Sequence, residues 1–191
     1  MEQQINNGYD FGNAHDPNIS ILLATTSDEL GSVLRAHFCL EEFLDVWCNT
    51  ITGVKDFLDI GFIGFDKKLA IAKKLGLGDD QALAFKEFNK LRNSYAHDSS
   101  FQLTREKLNS LKNNVDSIVA HHNGEVLPSC ESRYLELEGN GRKITWNAED
   151  TTDHERFILL YLHLSMKLYY RFSYDFLERG IPFNKFNQPA S

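Results

Sequence analysis

The chain is expected to fold as an all-α, up-and-down helical bundle carrying one small β-hairpin. Three observations predict this class. Long segments repeat apolar residues at a helical period, glycines and capping residues punctuate them, and a single stretch alternates with period two. With 191 residues, 42% hydrophobic and 25% charged, the chain can bury one sizeable core, so one domain is expected.

Residues 1–20, "MEQQINNGYDFGNAHDPNIS", are rich in Asn, Gln, Gly and Asp and show no period. They are expected to form a poorly ordered or loosely docked arm. "TTSDELGSVLRAHFCLEEFLDVWCNTI" reads as a long helix. Thr26 with Glu29 three residues later suits a capping box, and Leu30, Val33, Leu34, Phe38, Leu40, Leu44 and Trp47 recur at helical spacing.

After the glycine-punctuated "GVKDFLDIGFIG" a helical hairpin is predicted. Its first helix runs from about Asp66 to Leu75 and stops at Gly76, a natural left-handed position. Asp79 or Asp80 caps the second, which places Phe85, Phe88, Leu91 and Tyr95 on one side. Thr104 opens "TREKLNSLKNNVDSIVAHH", a helix that closes on His121 and His122. "SRYLELEGNGRKITWN" alternates about a Gly-Asn-Gly turn, so a hairpin over 134–146 is expected as a surface appendage. "TTDHERFILLYLHLSMKLYYRFSYDFLERG" is apolar nearly all round and should lie centrally or in a subunit interface. Gly180 and Pro182 end it, which makes 21–181 the domain and 182–191 a tail.

The formal charge of −7 disfavours non-specific coating of nucleic acid or acidic membranes. The most apolar run is interrupted by His163 and Lys167 and is too short and polar to cross a bilayer. Cys39, Cys48 and Cys130 form no C-x-x-C pair and are odd in number, so reduced packing cysteines of a cytoplasmic protein are expected. The amino-terminal segment has neither basic start nor apolar run, unlike a signal peptide. His154 and His163 lie nine residues apart, and no metal-ligand spacing, phosphate loop or nucleophile elbow occurs. No metal or cofactor is expected.

The chemistry-bearing stretch is "FNKLRNSYAHDSS". Arg92 falls amid Phe85, Phe88 and Tyr95 on a helical wheel, and a guanidinium there needs an anion or a carboxylate. Asn93 adds an amide, and His97 sits where the helix stops. Either the two cationic side chains converge on one anion, or Arg92 pairs internally and His97 caps the helix end. On the first long helix, His37 and Glu41 fall within the apolar arc, one turn apart. Glu41 is the expected partner of Arg92, either as a structural bond or as a support that aims the guanidinium. Between Phe65 and His97, Lys67, Lys68, Lys73, Lys74, Lys86, Lys90 and Arg92 outnumber four acidic residues. That makes a local basic patch, Lys86 and Lys90 included, of the kind that attracts a phosphate backbone, or simply a solvated face.

"LRNSYAH" resembles the HEPN motif, in which Arg and a polar residue precede a His near a helix end. "SDELGSVLRAHFCLEEFLD", "FDKKLAIAKKLGL" and "FNKLRNSYAH" together resemble the mannitol operon repressor-like family over the first half of the chain. The HEPN resemblance implies a helical bundle and a homodimer whose two motifs share a cleft. It also implies a metal-independent endoribonuclease of toxin or defence type, with Arg92, Asn93 and His97 catalytic and Glu41, His37 and Tyr95 behind them. A regulatory or antitoxin protein would be its partner. The second resemblance implies instead a non-catalytic transcriptional regulator acting through protein–protein contacts.

Overall fold

A computed structural model describes residues 11–98, 100–136 and 141–182. The protein is mostly helical, with six α-helices and two small antiparallel strand pairs among the described residues.

A 3-10 turn at Gly12–His15 leads into α1, Pro17–Thr25. The turn and the first part of α1 lie in the segment expected to be a loose arm. Phe11 instead packs on Phe43, Tyr169 and Phe172 at ring distances of 5.8, 4.7 and 6.4 Å. One aromatic residue within a polar stretch suffices to dock it, and aromatic rings dominate core energetics. The first ten residues lie outside the described part.

Helix α2, Glu29–Thr52, is capped by Asp28, whose carboxylate accepts from the Gly31 N–H at 2.9 Å. Thr26 does not cap it; that residue ends α1 and its hydroxyl accepts from the Asp28 N–H. Val33, Leu40, Leu44 and Trp47 are buried as the period requires, but Leu30 and Phe38 are exposed. Gly53, at φ +69°, closes the helix in the left-handed region.

Helices α3, Phe65–Lys74, and α4, Asp79–His97, form the expected pair. Gly76 adopts φ +87° between them. Gly78 precedes α4 and its N–H donates to Gln81 Oε1 at 2.8 Å, while Asp80, one of the two expected caps, accepts the Gln81 N–H at 2.9 Å in the first turn.

Helix α5, Arg105–Ser117, starts at Thr104 but stops short of the histidines. His121–His122 (β1) pairs antiparallel with Glu125–Val126 (β2) across Asn123-Gly124. Both turn residues have positive φ, the geometry an Asn-Gly pair favours. The helix end predicted at Ala120–His122 is therefore a hairpin. Lys167 explains the early stop: its buried ammonium takes the carbonyls of Val115, Asp116 and Ile118 at 3.1, 3.0 and 2.9 Å. A cation at a helix carboxyl end satisfies groups that have no partner within the helix.

Tyr134–Glu136 (β3) pairs antiparallel with Lys143–Thr145 (β4) in the register Leu135–Ile144. Turn residues 137–140 of this predicted hairpin lie outside the described part. It is more than an appendage, because Ile144 and Trp146 are buried and β4 packs on the last helix. The Trp146 carbonyl also accepts from Arg105 and Arg156.

Helix α6, Asp153–Glu178, opens with a Thr152–Glu155 capping box. It touches α1, α2, α5 and β1, the central position its all-round apolar character predicts. Trp47, Phe43, Phe172 and Phe176 form the aromatic centre of the core. Among the described residues no helix is long and apolar enough to cross a membrane. The three cysteines are buried and free, and burial pushes Cys48 and Cys130 up to about 12.

Candidate functional site

Helices α2 and α4 lie side by side, with the start of α3 across them, and a cavity of about 580 Å³ opens where they meet. Its walls include His37, Phe38 and Glu41 from α2, Asp66 and Lys67 from α3, and Asn89, Arg92 and Asn93 from α4. Phe62, from the connection between α2 and α3, completes the rim.

Arg92 is half-buried. Its Nη1 donates to Asn93 Oδ1 at 3.0 Å, while its Nε is buried and has no hydrogen-bond partner. No carboxylate lies within ion-pair distance of it among the described residues. The expected Glu41 partner is committed elsewhere: Glu41 and Asp45 both pair with Lys68, each at 3.0 Å. Glu41 and Arg92 share the cavity without forming the bond that their core-facing stripes suggested. Helix α3 places Lys68 against Glu41, and helical period carries no information about that approach.

His37 is buried and packs its ring, tilted, on Phe65 at 4.5 Å. Its Nε2 donates to Asn89 Oδ1 at 3.0 Å, and Asn89 Nδ2 donates to Asp66 at 2.9 Å. Because the Asn89 amide gives its N–H to the carboxylate, its oxygen must accept from the imidazole, which assigns the proton to Nε2. Burial lowers the pKa of His37 below the usual imidazole value; the Asn89 contact opposes the shift and the Arg92 charge reinforces it. This relay is invisible to a motif search. Its one sequence signal, His37 in the apolar arc of a helix, was visible, but Asn89 as its partner was not.

The remaining expected residues separate. His97 ends α4 and is exposed. Five positions beyond Arg92, it stands about 140° round the helix and about 7.5 Å along it, so one chain does not bring the pair together. Tyr95 is half-buried, turns away from the cavity, donates to the Glu29 carboxylate and packs on Phe101 at 4.8 Å. Burial, with Glu29 beside it, raises its pKa. It fastens the end of α4 to the start of α2. Lys86 and Lys90 are exposed, and Lys90 pairs with Glu87.

Two features went unsuspected in the sequence. Phe62 is fully exposed at 101% and Phe38 at 67%, both on the Arg92 cavity. Leaving one phenylalanine in water forgoes about 1.5–3 kcal/mol of burial. An adjoining cavity of about 520 Å³ shares Glu41, Phe62 and Ile63 and adds Glu42, Asp45, Asp56 and Asp59. Burial raises the carboxyls of Glu42 and Asp45. No group of three or more His, Cys, Asp or Glu is arranged to hold a metal ion among the described residues.

Fold and site together define a mostly helical protein with an arginine-walled, aromatic-rimmed cleft between two helices. Compared with known proteins, the chain matches no family model, no curated protein and no solved structure.

Proposed function

We propose that the protein is a HEPN-like, homodimeric endoribonuclease that works without a metal, with Arg92 as its phosphate-binding residue. The observation carrying this reading is the state of Arg92. It lines an open cavity with only a neutral amide attached, so its charge is available to an anion.

In this reading Arg92 stabilises charge building on the phosphorane oxygens. Asn93 uses its oxygen to hold the guanidinium and keeps its Nδ2 donor for the phosphate. The exposed His97 serves from the helix end, one copy per protomer. One removes the ribose 2′-hydroxyl proton and the other protonates the leaving 5′-oxygen. The products are a 2′,3′-cyclic phosphate and a 5′-hydroxyl. Because His97 and Arg92 of one chain diverge, the scheme requires a second protomer to complete the site.

The test is RNA cleavage in EDTA by wild type, Arg92→Ala and His97→Ala, each checked for folding by circular dichroism. Cyclic-phosphate ends that disappear in both variants support the nuclease. Folded wild type that leaves diverse RNAs intact refutes it. A regulator of the mannitol operon repressor-like kind is the second reading, favoured by the acidic cavity beside the site, which suits a basic protein segment.

A further inference from the structure

We infer that the ligand of the Arg92 cavity is an unpaired ribonucleotide, its base stacked on Phe62 and Phe38 and its phosphate on Arg92. The inference rests on the nucleic-acid reading above and adds to it a base-stacking subsite built by Phe62 and Phe38.

Four observations converge on it. Phe62 and Phe38 present their rings to solvent, one from the α2–α3 connection and one from α2, and both line one cavity. Arg92 contributes an uncommitted guanidinium to the same cavity, and Lys67 a second cation. Of the two carboxylates there, Glu41 is paired with Lys68, which reduces its repulsion of a phosphate, while Asp66 is held by the Asn89 amide and keeps its charge. The volume of about 580 Å³ lies in the range of small-molecule sites and accommodates a nucleotide.

Aromatic faces beside a cation are how proteins hold single strands, since every base has a π-face to stack and a duplex keeps its bases hidden. A protein partner would also use exposed phenylalanines. The cations sharing this cavity favour the anionic ligand, whereas the adjoining acidic cavity is where a basic protein segment would go.

The experiment is fluorescence anisotropy with the full-length protein in EDTA. The probes are a labelled, 2′-O-methylated single-stranded RNA, which lacks the attacking hydroxyl and cannot be cut, and a blunt duplex of the same sequence. Single strand should bind at least about tenfold tighter than duplex. Phe62→Ala and Phe38→Ala, both changes at exposed positions, should each weaken it about tenfold. Arg92→Ala should reduce the slope of log affinity against log salt by about 0.7. Arg92→Lys, which keeps the charge, should restore the slope.

Equal affinity for duplex, or unchanged affinity in Phe62→Ala, overturns the inference. Should Phe62→Ala leave RNA binding alone and change the oligomeric state in light scattering, the face is a protein interface. Cleavage of unmodified RNA with unchanged KM in Phe62→Ala would leave the nuclease standing and remove the stacking site. Phe62-dependent binding without cleavage would do the reverse.

Discussion

Asp116 is a stability determinant that acid should switch off. Its Oδ1 accepts the Cys130 N–H at 2.8 Å, its Oδ2 the Lys112 ammonium at 3.0 Å, and the His163 ring lies 3.6 Å away. Burial alone would raise this carboxyl. The His163 ring, the Cys130 N–H and Lys112 outweigh burial and lower it from 3.8 to about 2. A carboxyl whose folded pKa is depressed contributes stability that is fully present above the unfolded value and is lost as pH falls through the folded one. At 1.36 kcal/mol per pH unit, the contribution is about 2 kcal/mol at neutrality. Asp116→Asn keeps an oxygen for Cys130 and removes the charge, so it isolates this quantity. Urea unfolding from neutrality down to about pH 2 should give a difference of about 2 kcal/mol at neutral pH that closes across the acid range. At neutral pH the variant should melt about 4–8 °C lower. Parallel stability–pH curves for the two proteins would refute the argument, because the loss would then be packing rather than charge.

The other substitutions test how the buried polar groups are held. Lys167→Met removes three bonds to carbonyls at the end of α5. It should cost about 3 kcal/mol or more in urea unfolding, and an unchanged midpoint would mean that those carbonyls are satisfied otherwise. Asn89→Leu breaks the His37–Asn89–Asp66 relay and should cost about 1–3 kcal/mol. The Asn89 contact raises the His37 pKa while burial lowers it, so an NMR titration of Asn89→Leu should find His37 titrating still lower. In the wild type the unfolded chain binds more protons between the depressed folded value and 6.5. The His37 contribution therefore grows with pH through that window and is complete above it.

What the sequence revealed was whatever short-range periodicity and end chemistry encode. The α3–α4 pair, the Thr104 start of α5 and the central place of the all-round apolar α6 were all legible. Asn123-Gly124 was an equally plain turn signal, obscured because the histidines before it continued a helical segment. Phe38 fits the apolar period of α2 and nonetheless faces water, since period assigns an azimuth and not a neighbour. The same limit explains the site. His37, Glu41 and Arg92 do share a cavity, as their core-facing stripes implied. Which of them bond is decided by helix α3, which places Lys68 against Glu41 and Asp66 against Asn89. His97 was grouped with Arg92 by motif, but helical geometry sets them on different faces.

The way this chain handles its buried cations gives Arg92 its weight. Lys167 is answered by three carbonyls, Lys112 by Asp116 and Glu131, Lys68 by Glu41 and Asp45, and Arg156 by Asp153 and two carbonyls. Arg92 has one neutral amide. Arg35 and Arg133 also keep one buried nitrogen unpaired, but neither lines the cavity. An unpaired guanidinium nitrogen is thus shared by three arginines, and what sets Arg92 apart is its place on an open cavity, where a broken local rule points to a functional or strained site. Here two exceptions coincide, an under-partnered guanidinium and two solvent-facing phenylalanines in one cavity. Stability alone accounts for neither: replacing Phe62 by a polar residue would relieve the exposure, and a carboxylate in place of Asn93 would pair Arg92. A ligand carrying both an aromatic face and an anion accounts for the two together.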